Sequence, residues 1–245
     1  MRIVEDRFRP SAPDSREEMQ TLQREIAESA TFEDAIAFAP ESIRSGETIV
    51  AGVDAAFLDD RAVAAVVVLQ REEVIAREHA VTPLSLPYIP GLLAFREGEP
   101  IVAALEALDV EPDLLVFDGS GRIHYRAAGI ATHIGLCFDT PAVGVAKSLL
   151  CGEPAAPTDA LQAGERVPIK ADSSMTAPNG ATVGYAYQSR QYPNSTRINP
   201  LYVSPGHRLS AETACECVAA CGGEYKLPRP TRLADRYADD VKAEL

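Results

Sequence analysis

The sequence has no tryptophan, only four lysines, and no apolar run near the roughly 20 residues that a membrane-spanning helix needs. Acidic residues crowd the first thirty positions, where an export signal would need an apolar stretch. The five cysteines are an odd number, and the run from Cys215 to Cys221 lacks the CxxC pair of a zinc site. We therefore expect a cytoplasmic protein with free thiols and no membrane partner.

Charge of one sign dominates the composition. The 245 residues include 36 acidic and 23 basic side chains, which leaves a formal charge of −13, and 46% of the residues are apolar. Such apolar content can bury a substantial core, while a Lys-poor acidic surface is typical of proteins that work in concentrated salt. The acidity counts against a nucleic-acid partner, because Lys and Arg supply most non-specific affinity for phosphates. Local motifs must therefore decide the function.

The apolar patterns predict an α/β fold in which three antiparallel strands are followed by helix, strand, helix and strand. The first helix is peripheral, with Asp14 or Ser15 as its N-cap, and we assign residues 1–45 to an N-terminal extension and 46–245 to one domain. A later helix begins at Ser210 and ends near Cys221. The predicted strands cover residues 49–57, 62–70, 74–82, 113–117, 142–146, 182–189 and 198–203.

Three acidic residues occupy unusual positions. Asp54 lies inside the first apolar strand, where a lone carboxylate is costly to bury unless it is paired or binds a metal. Asp118 ends the strand Asp113–Phe117, at the edge where open α/β sheets place ligands, and Glu97 lies on the intervening helical segment. Each acid alone fits a cap, an ion pair or a solvated turn. Together they favour a Mg²⁺ site suited to phosphodiester hydrolysis.

Several segments resemble the endonuclease V family, the deoxyinosine-directed nucleases. The tetrapeptide Pro87-Tyr-Ile-Pro90, followed closely by Arg96-Glu97, and the long block from Asp118 to Lys147 carry most of the resemblance, which extends over about residues 49–235. The resemblance implies a ribonuclease H-like fold, with a mixed five-stranded sheet whose first three strands are antiparallel. It implies an enzyme that cuts the second phosphodiester bond on the 3′ side of deoxyinosine.

The resemblance also implies roles for individual residues. Asp54, Asp118 and Glu97 match the ligands of a catalytic Mg²⁺, for which Mn²⁺ is a substitute. Lys147 matches the active-site lysine, and His207 matches a residue that assists hydrolysis. On pattern alone, a structural role for His207 is equally consistent with the sequence.

The substrate-binding residues implied by the resemblance form two loops. Tyr88 matches a wedge that separates the strands beside the lesion, and the turn after Asp118 matches the pocket for the extruded hypoxanthine. A buried loop tyrosine and a plain tight turn are the ordinary alternatives. At Tyr125 the family usually has proline, so this pocket is less rigid here. The full set comprises Pro87, Tyr88, Ile89, Pro90, Gly91, Gly119, Gly121 and His124.

The expected partner is DNA that contains deoxyinosine, bound by a monomer. Some relatives act on inosine in RNA, which the sequence does not exclude. Two rival functions stay open. One is a ribonuclease H-like nuclease of hybrids or junctions, which has no use for a Tyr88 wedge, and the other is a non-catalytic nucleic-acid-binding protein of the same fold.

The composition makes a first testable prediction. We expect the thermal midpoint to be higher in about 2 M KCl than in low salt, because salt screens the repulsion among the acidic side chains. Thermal unfolding followed by circular dichroism in the two buffers measures the difference. Equal midpoints would show that the acidic surface is not a salt adaptation.

Overall fold

A strand that is buried on both faces determines how the molecule is layered. In the computed structural model, which describes residues 1–10, 15–84, 86–87 and 89–245, every residue of the second strand from Ala62 to Leu69 is buried. This stretch consists of alanine, valine and leucine only. An apolar run of this kind requires cover on both sides of the sheet, so helices pack on both faces.

The described residues form one mixed sheet of nine strands in the order β3-β2-β1-β4-β5-β9-β8-β7-β6. Numbered along the chain, these are β1 Ile49–Leu58, β2 Arg61–Gln70, β3 Glu73–Pro83, β4 Leu114–Asp118, β5 Ala142–Ala146, β6 Glu153–Pro154, β7 Arg166–Lys170, β8 Thr182–Tyr187 and β9 Leu201–His207.

The first five strands have the predicted arrangement. Strands β1, β2 and β3 form an antiparallel meander, while β4 and β5 are parallel to β1. This part of the sheet confirms the ribonuclease H-like prediction. Beyond β5 the sheet continues through four more antiparallel strands, of which only β8 and β9 were expected. Strand β9 also begins three residues later than predicted and extends to His207.

Six helices lie in the described ranges, and none is long and apolar enough to cross a membrane. Ser15 is the N-cap of the first helix, in a reciprocal capping box with Glu18. The third helix continues through Pro100, because the packing of its apolar face against the sheet outweighs the lost hydrogen bond. The helices are α1 Arg16–Ser29, α2 Ser42–Ser45, α3 Leu93–Glu106, α4 Ile130–Cys137, α5 Ala211–Ala220 and α6 Arg229–Glu244.

The two faces of the sheet bury different helices. Side chains alternate along each strand, so Ala51 and Val53 of β1 pack with α3 and α4, whereas Val50 points to the face that carries α5. Helix α6 covers β1 and β2 on this second face, where Ala234 packs against Leu69. All five cysteines are free and buried, as predicted.

The close approach of α6 to β1 depends on Gly52. A Cβ atom at this position would lie 2.1 Å from both the carbonyl carbon and the oxygen of Pro230, the second residue of α6. No side chain fits in that space, so a glycine is required for the helix to lie directly on the strand. The contact sets the position of α6 along β1.

We predict that Gly52→Ala destabilises the protein by about 1–3 kcal/mol, because the backbone of α6 would have to move away from β1. Gly223→Ala is the matched control, since a Cβ atom there would meet nothing within 4 Å, and it should change stability by less than about 0.5 kcal/mol. Denaturant unfolding of both variants measures the effect. Equal stabilities of the two variants would contradict the packing argument.

Candidate active site

Three aspartates meet beside the carboxyl end of β4, where its pairing with β1 stops. Asp54, Asp118 and Asp235 each offer a carboxylate oxygen, and these oxygens all lie within 4.8 Å of one another. In the parallel register of β1 and β4, Val53 is opposite Phe117, so Asp54 and Asp118 follow at the same level. Both side chains point to the sheet face that α6 covers.

Asp235 reaches the other two acids because of where α6 begins. Pro230 lies on Gly52, and Asp235 follows five residues later, or about 7.5 Å along the helix axis. Asp54 is two residues beyond Gly52, or about 7 Å along the strand. The distance from Pro230 to Asp235 along the helix nearly equals the distance from Gly52 to Asp54 along the strand. The close contact between helix and strand therefore brings Asp235 beside Asp54.

Asp235 is a candidate ligand that the sequence patterns did not indicate. Helix α6 was not predicted, although Leu233, Ala234, Tyr237, Ala238 and Val241 follow the spacing of an amphipathic helix. Its acidic residues resemble an ordinary solvated face, so nothing local distinguishes Asp235 from Asp239 or Asp240. The helical spacing was the available signal, together with Pro230 in the first turn.

The cluster brings together three carboxylates and only one lysine, Lys147, so negative charge is in excess. Burial, and then the charge of Asp118, raise the pKa of Asp54 well above that of an ordinary carboxyl group, although the backbone N–H of Ala55 donates to Asp54 Oδ1 at 2.8 Å. The Nζ atom of Lys147 donates to Asp118 Oδ2 at 2.6 Å. Burial alone would lower the pKa of Lys147, but the hydrogen bond and charge of Asp118, with the charges of Asp54 and Asp235, raise it overall.

The donor set fits a hard divalent cation. All three groups are carboxylates, which Mg²⁺ and Mn²⁺ prefer to nitrogen or sulfur ligands. Oxygens bound to one Mg²⁺ lie about 3–4 Å apart, and the three carboxylate oxygens are already close to this range of separation. One lysine cannot neutralise three carboxylates, so a cation would relieve the repulsion that raises the pKa of Asp54.

Glu97 does not join this cluster among the described residues. It lies on α3, which packs on the other face of the sheet, and only 7% of its surface is exposed. Burial raises the pKa of Glu97 to about 8, with opposing contributions from Arg96 and Asp118. Glu97 is therefore near enough to Asp118 for the two charges to interact, while the third oxygen within 4.8 Å of those of Asp54 and Asp118 belongs to Asp235. The assignment of Glu97 to the metal site stays a prediction.

His207, for which the resemblance implies a part in hydrolysis, lies away from the carboxylates. His207 pairs with Ala142 at the start of β5, whereas Asp118 is opposite Val145, about 10 Å further along that strand. The N–H of Thr31 donates to Nδ1 at 3.2 Å, so the neutral ring donates from Nε2 to Asp139 at 3.0 Å. These two hydrogen bonds link His207 to the N-terminal segment and to the turn after α4.

The loop after Asp118 is packed tightly against the protein itself. A Cβ atom at Gly121 would lie 2.3 Å from the carbonyl oxygen of Pro205, and one at Gly119 would lie 2.7 Å from Ile130. Close packing therefore requires a glycine at both positions, whether or not these residues also contact the substrate, as the resemblance implies. The hydroxyl of Tyr125, where the family usually has proline, donates to the carbonyl of Leu150 at 3.4 Å.

The second predicted loop lies next to the first. The ring Nε2 of His124 is 3.1 Å from the carbonyl oxygen of Gly91, so these two predicted residues meet. Pro87 and Pro90 are exposed, whereas Ile89 packs against the buried cluster of Met19, Leu92 and Phe95. Tyr88 lies outside the described residues.

Known proteins are similar in sequence to this chain along almost its whole length. A family model described as Endonuclease V matches residues 31–236. The curated Endonuclease V of Natronomonas pharaonis, a halophilic archaeon, is 70% identical over 243 residues, which cover 99% of this chain and 98% of the relative. Similarity to a halophile's protein agrees with the salt adaptation that the composition indicates.

Solved structures show the same fold. Endonuclease V from Streptomyces avermitilis superimposes with a TM-score of 0.81 at 34% identity, covering 95% of each chain. Endonuclease V from Ciona intestinalis, solved in complex with a 24mer DNA containing an inosine followed by a ribo-adenosine, has a TM-score of 0.76 at 26% identity and covers 93% of this chain and 98% of its own.

We predict that Mg²⁺ or Mn²⁺ raises the thermal midpoint, by about 5–10 °C at 100 times the dissociation constant, because a ligand that binds only the folded state stabilises it. The shift should be larger at about pH 8.5 than at pH 6, since Asp54 has a raised pKa and its proton competes with the cation at the lower pH. Differential scanning calorimetry measures both shifts.

Asp235→Asn should remove most of this stabilisation. Asp240→Asn, on the exposed face of the same helix, is the matched control and should keep it. A full metal-induced shift in Asp235→Asn would mean that the cation binds elsewhere.

Proposed function

Because this chain belongs to the endonuclease V family, we propose that it is a nuclease that cleaves DNA containing deoxyinosine. The proposed reaction is a Mg²⁺-dependent hydrolysis of the second phosphodiester bond on the 3′ side of the lesion, with Mn²⁺ as a substitute ion. The observation that carries the proposal is the convergence of Asp54, Asp118 and Asp235 beside Lys147. The inosine-containing DNA bound to the Ciona intestinalis relative supports the substrate class.

The chain's own groups have separable functions at this site. Asp54, Asp118 and Asp235 would hold the divalent ion, which when bound supplies activation of a water and neutralises charge on the leaving oxygen. Lys147 orients Asp118 through their 2.6 Å hydrogen bond. Its ammonium group is about half exposed and has two further N–H donors, which suit a phosphate of the substrate.

Recognition of the lesion is proposed for the two loops beside this cluster. The segment from Gly119 to His124 follows Asp118 directly, so a base bound there lies next to the hydrolytic groups. Extruding a base costs a few kcal/mol, least where pairing is already weak, as it is at a damaged base. Exposed prolines at positions 87 and 90 restrict the backbone, which reduces the entropy lost when Tyr88, the proposed wedge, fills the gap.

Binding to DNA is not expected to depend on net charge. The chain carries a formal charge of −13, so the affinity must come from local contacts. Arg96 and Arg122 lie on or next to the predicted substrate loops and are partly exposed. Guanidinium groups bind phosphates and also stack on bases, and contacts at such short range are screened less by salt than long-range attraction is.

The direct test is cleavage of an end-labelled duplex with one deoxyinosine, in Mg²⁺ at low salt and in about 2 M KCl. We expect a single cut between the first and second nucleotides on the 3′ side of deoxyinosine, and no cut in an undamaged duplex. Asp118→Asn should reduce the rate by more than about 100-fold, because even residues that only support a metal ligand are worth 10- to 100-fold.

Asp109→Asn, which changes an exposed carboxylate between α3 and β4, is the matched control and should cleave normally. The same sequence with inosine in an RNA strand forms a second arm, and faster cleavage of RNA would move the substrate class to inosine-containing RNA. Deoxyinosine-specific binding without cleavage, equal in the wild type and Asp118→Asn, would support the non-catalytic alternative. Preference for an undamaged RNA/DNA hybrid would support the ribonuclease H-like alternative.

A further inference from the structure

One backbone carbonyl joins three separate parts of the chain. The oxygen of Gly91 accepts hydrogen bonds from Gln23 Nε2 at 2.9 Å, from His124 Nε2 at 3.1 Å and from Arg126 Nη2 at 3.2 Å. A carbonyl oxygen has two lone pairs, so three donors crowd this acceptor. Gly91 is the last residue of the predicted substrate segment that begins at Pro87. The three hydrogen bonds therefore fix the carboxyl end of this segment.

We call the hydrogen-bonded group of Gln23, Gly91, His124 and Arg126 the junction. Gln23 is its only member that lies outside the two predicted substrate loops. It lies on α1 and is 1% exposed, although glutamine is usually a surface residue. Its Oε1 accepts from Arg126 Nε at 2.6 Å, and its Nε2 also lies 3.4 Å from the carbonyl of Ala128. One buried amide therefore holds both predicted substrate loops at once.

The tautomer of His124 supports the same arrangement. The backbone N–H of Arg126 donates to Nδ1 at 3.2 Å, so a neutral ring carries its proton on Nε2, which donates to Gly91. Burial, and then the charge of Arg126, lower the pKa of His124 to about 4. The ring is thus neutral at physiological pH, so it accepts at Nδ1 from Arg126 and donates from Nε2 to Gly91.

Helix α1 also supports the substrate segment through apolar contacts. Met19, one turn before Gln23, is buried with Leu92 and Phe95, and Leu86 and Ile89 pack against this cluster. Residues on both sides of position 88 therefore rest on the same helix surface. Burial of these side chains favours one position of the segment, and the hydrogen bonds of Gln23 set its register against the neighbouring loop.

We propose that α1 supports the predicted substrate loop on both sides of position 88, at residues 86–87 and 89–91, and that Gln23 is a positioning residue for recognition of deoxyinosine. The inference rests on the proposed function, and it gives a role to a helix that precedes the residues matched by the family model, 31–236. Gln23 touches neither the carboxylate cluster nor a reacting group. It acts by holding Gly91 and the loop after Asp118 in one fixed position relative to each other.

The expected consequence is a loss of selectivity. A segment that is already ordered before binding loses less entropy when DNA binds, and this advantage applies to the contacts that read the lesion. Non-specific contacts to the phosphates do not need that order. Removing the junction should therefore weaken binding to the lesion more than binding to undamaged DNA.

Gln23→Met tests this prediction, since methionine keeps the length and helix preference of glutamine and removes both hydrogen-bonding groups. We expect the affinity for a deoxyinosine duplex, measured in Ca²⁺ to prevent cleavage, to fall about tenfold, with KM rising in parallel and kcat within about twofold of the wild type. The affinity for an undamaged duplex should not change. Gln20→Met is the matched control, because Gln20 lies on the same helix and makes no side-chain hydrogen bond within the described ranges.

A second variant covers the case in which Gln23→Met does not fold. Arg126→Lys keeps the positive charge but cannot bridge Gln23 and Gly91, so it should lower selectivity in the same direction. Combined with Gln23→Met, its effect should be less than additive, because the two side chains act through one junction. A purely structural role would lower the thermal midpoint and leave the selectivity of the folded protein unchanged.

The outcomes separate this inference from the proposed function. If the wild type does not distinguish deoxyinosine from undamaged DNA, the proposed function fails. If the wild type is selective and both folded variants keep its selectivity ratio, the function stands and the role of Gln23 is refuted. A tenfold loss in the variants, absent in Gln20→Met, establishes Gln23 as a positioning residue.

Discussion

The contact between α6 and Gly52 is the constraint on which the candidate active site depends. With any larger residue in place of Gly52, the helix would lie further from β1, and Asp235 would move away from Asp54 and Asp118. The three carboxylates come from residues 54, 118 and 235, so no local segment can assemble them. The packing of α6 on Gly52 thus determines the geometry of the carboxylate cluster, which begins two residues further along β1, at Asp54.

Holding three carboxylates together opposes folding, because each is partly removed from water and repelled by the others. The raised pKa of Asp54 records this cost, and the single ion pair with Lys147 offsets only part of it. The sheet beneath supplies the compensating stability, since β2 is buried along eight residues and β1 and β4 are covered on both faces. A rigid apolar sheet can therefore support an edge that is poised to bind a cation.

Much of this arrangement could be predicted from the sequence, and the failures have physical causes. Buried strands produce continuous apolar runs, so β1 to β5 and the meeting of Asp54 with Asp118 were predictable. Asp235 was missed because an acid on an amphipathic helix looks like a solvated residue until the packing of that helix is known. The distances of His207 and Glu97 from the aspartates could not be predicted, because a motif does not reveal at which end of its strand a residue lies and the face of α3 depends on tertiary packing.

An acidic surface adapted to salt limits how such a protein can recognise DNA. Concentrated salt screens attraction between exposed charges and weakens the gain from counterion release, whereas buried hydrogen bonds and apolar packing are much less affected. The junction at Gly91 is built from contacts of the second kind, and its centre, Gln23, is uncharged and 1% exposed. Lesion selectivity that depends on a segment held in this way would persist at salt concentrations where long-range attraction to the phosphates is lost.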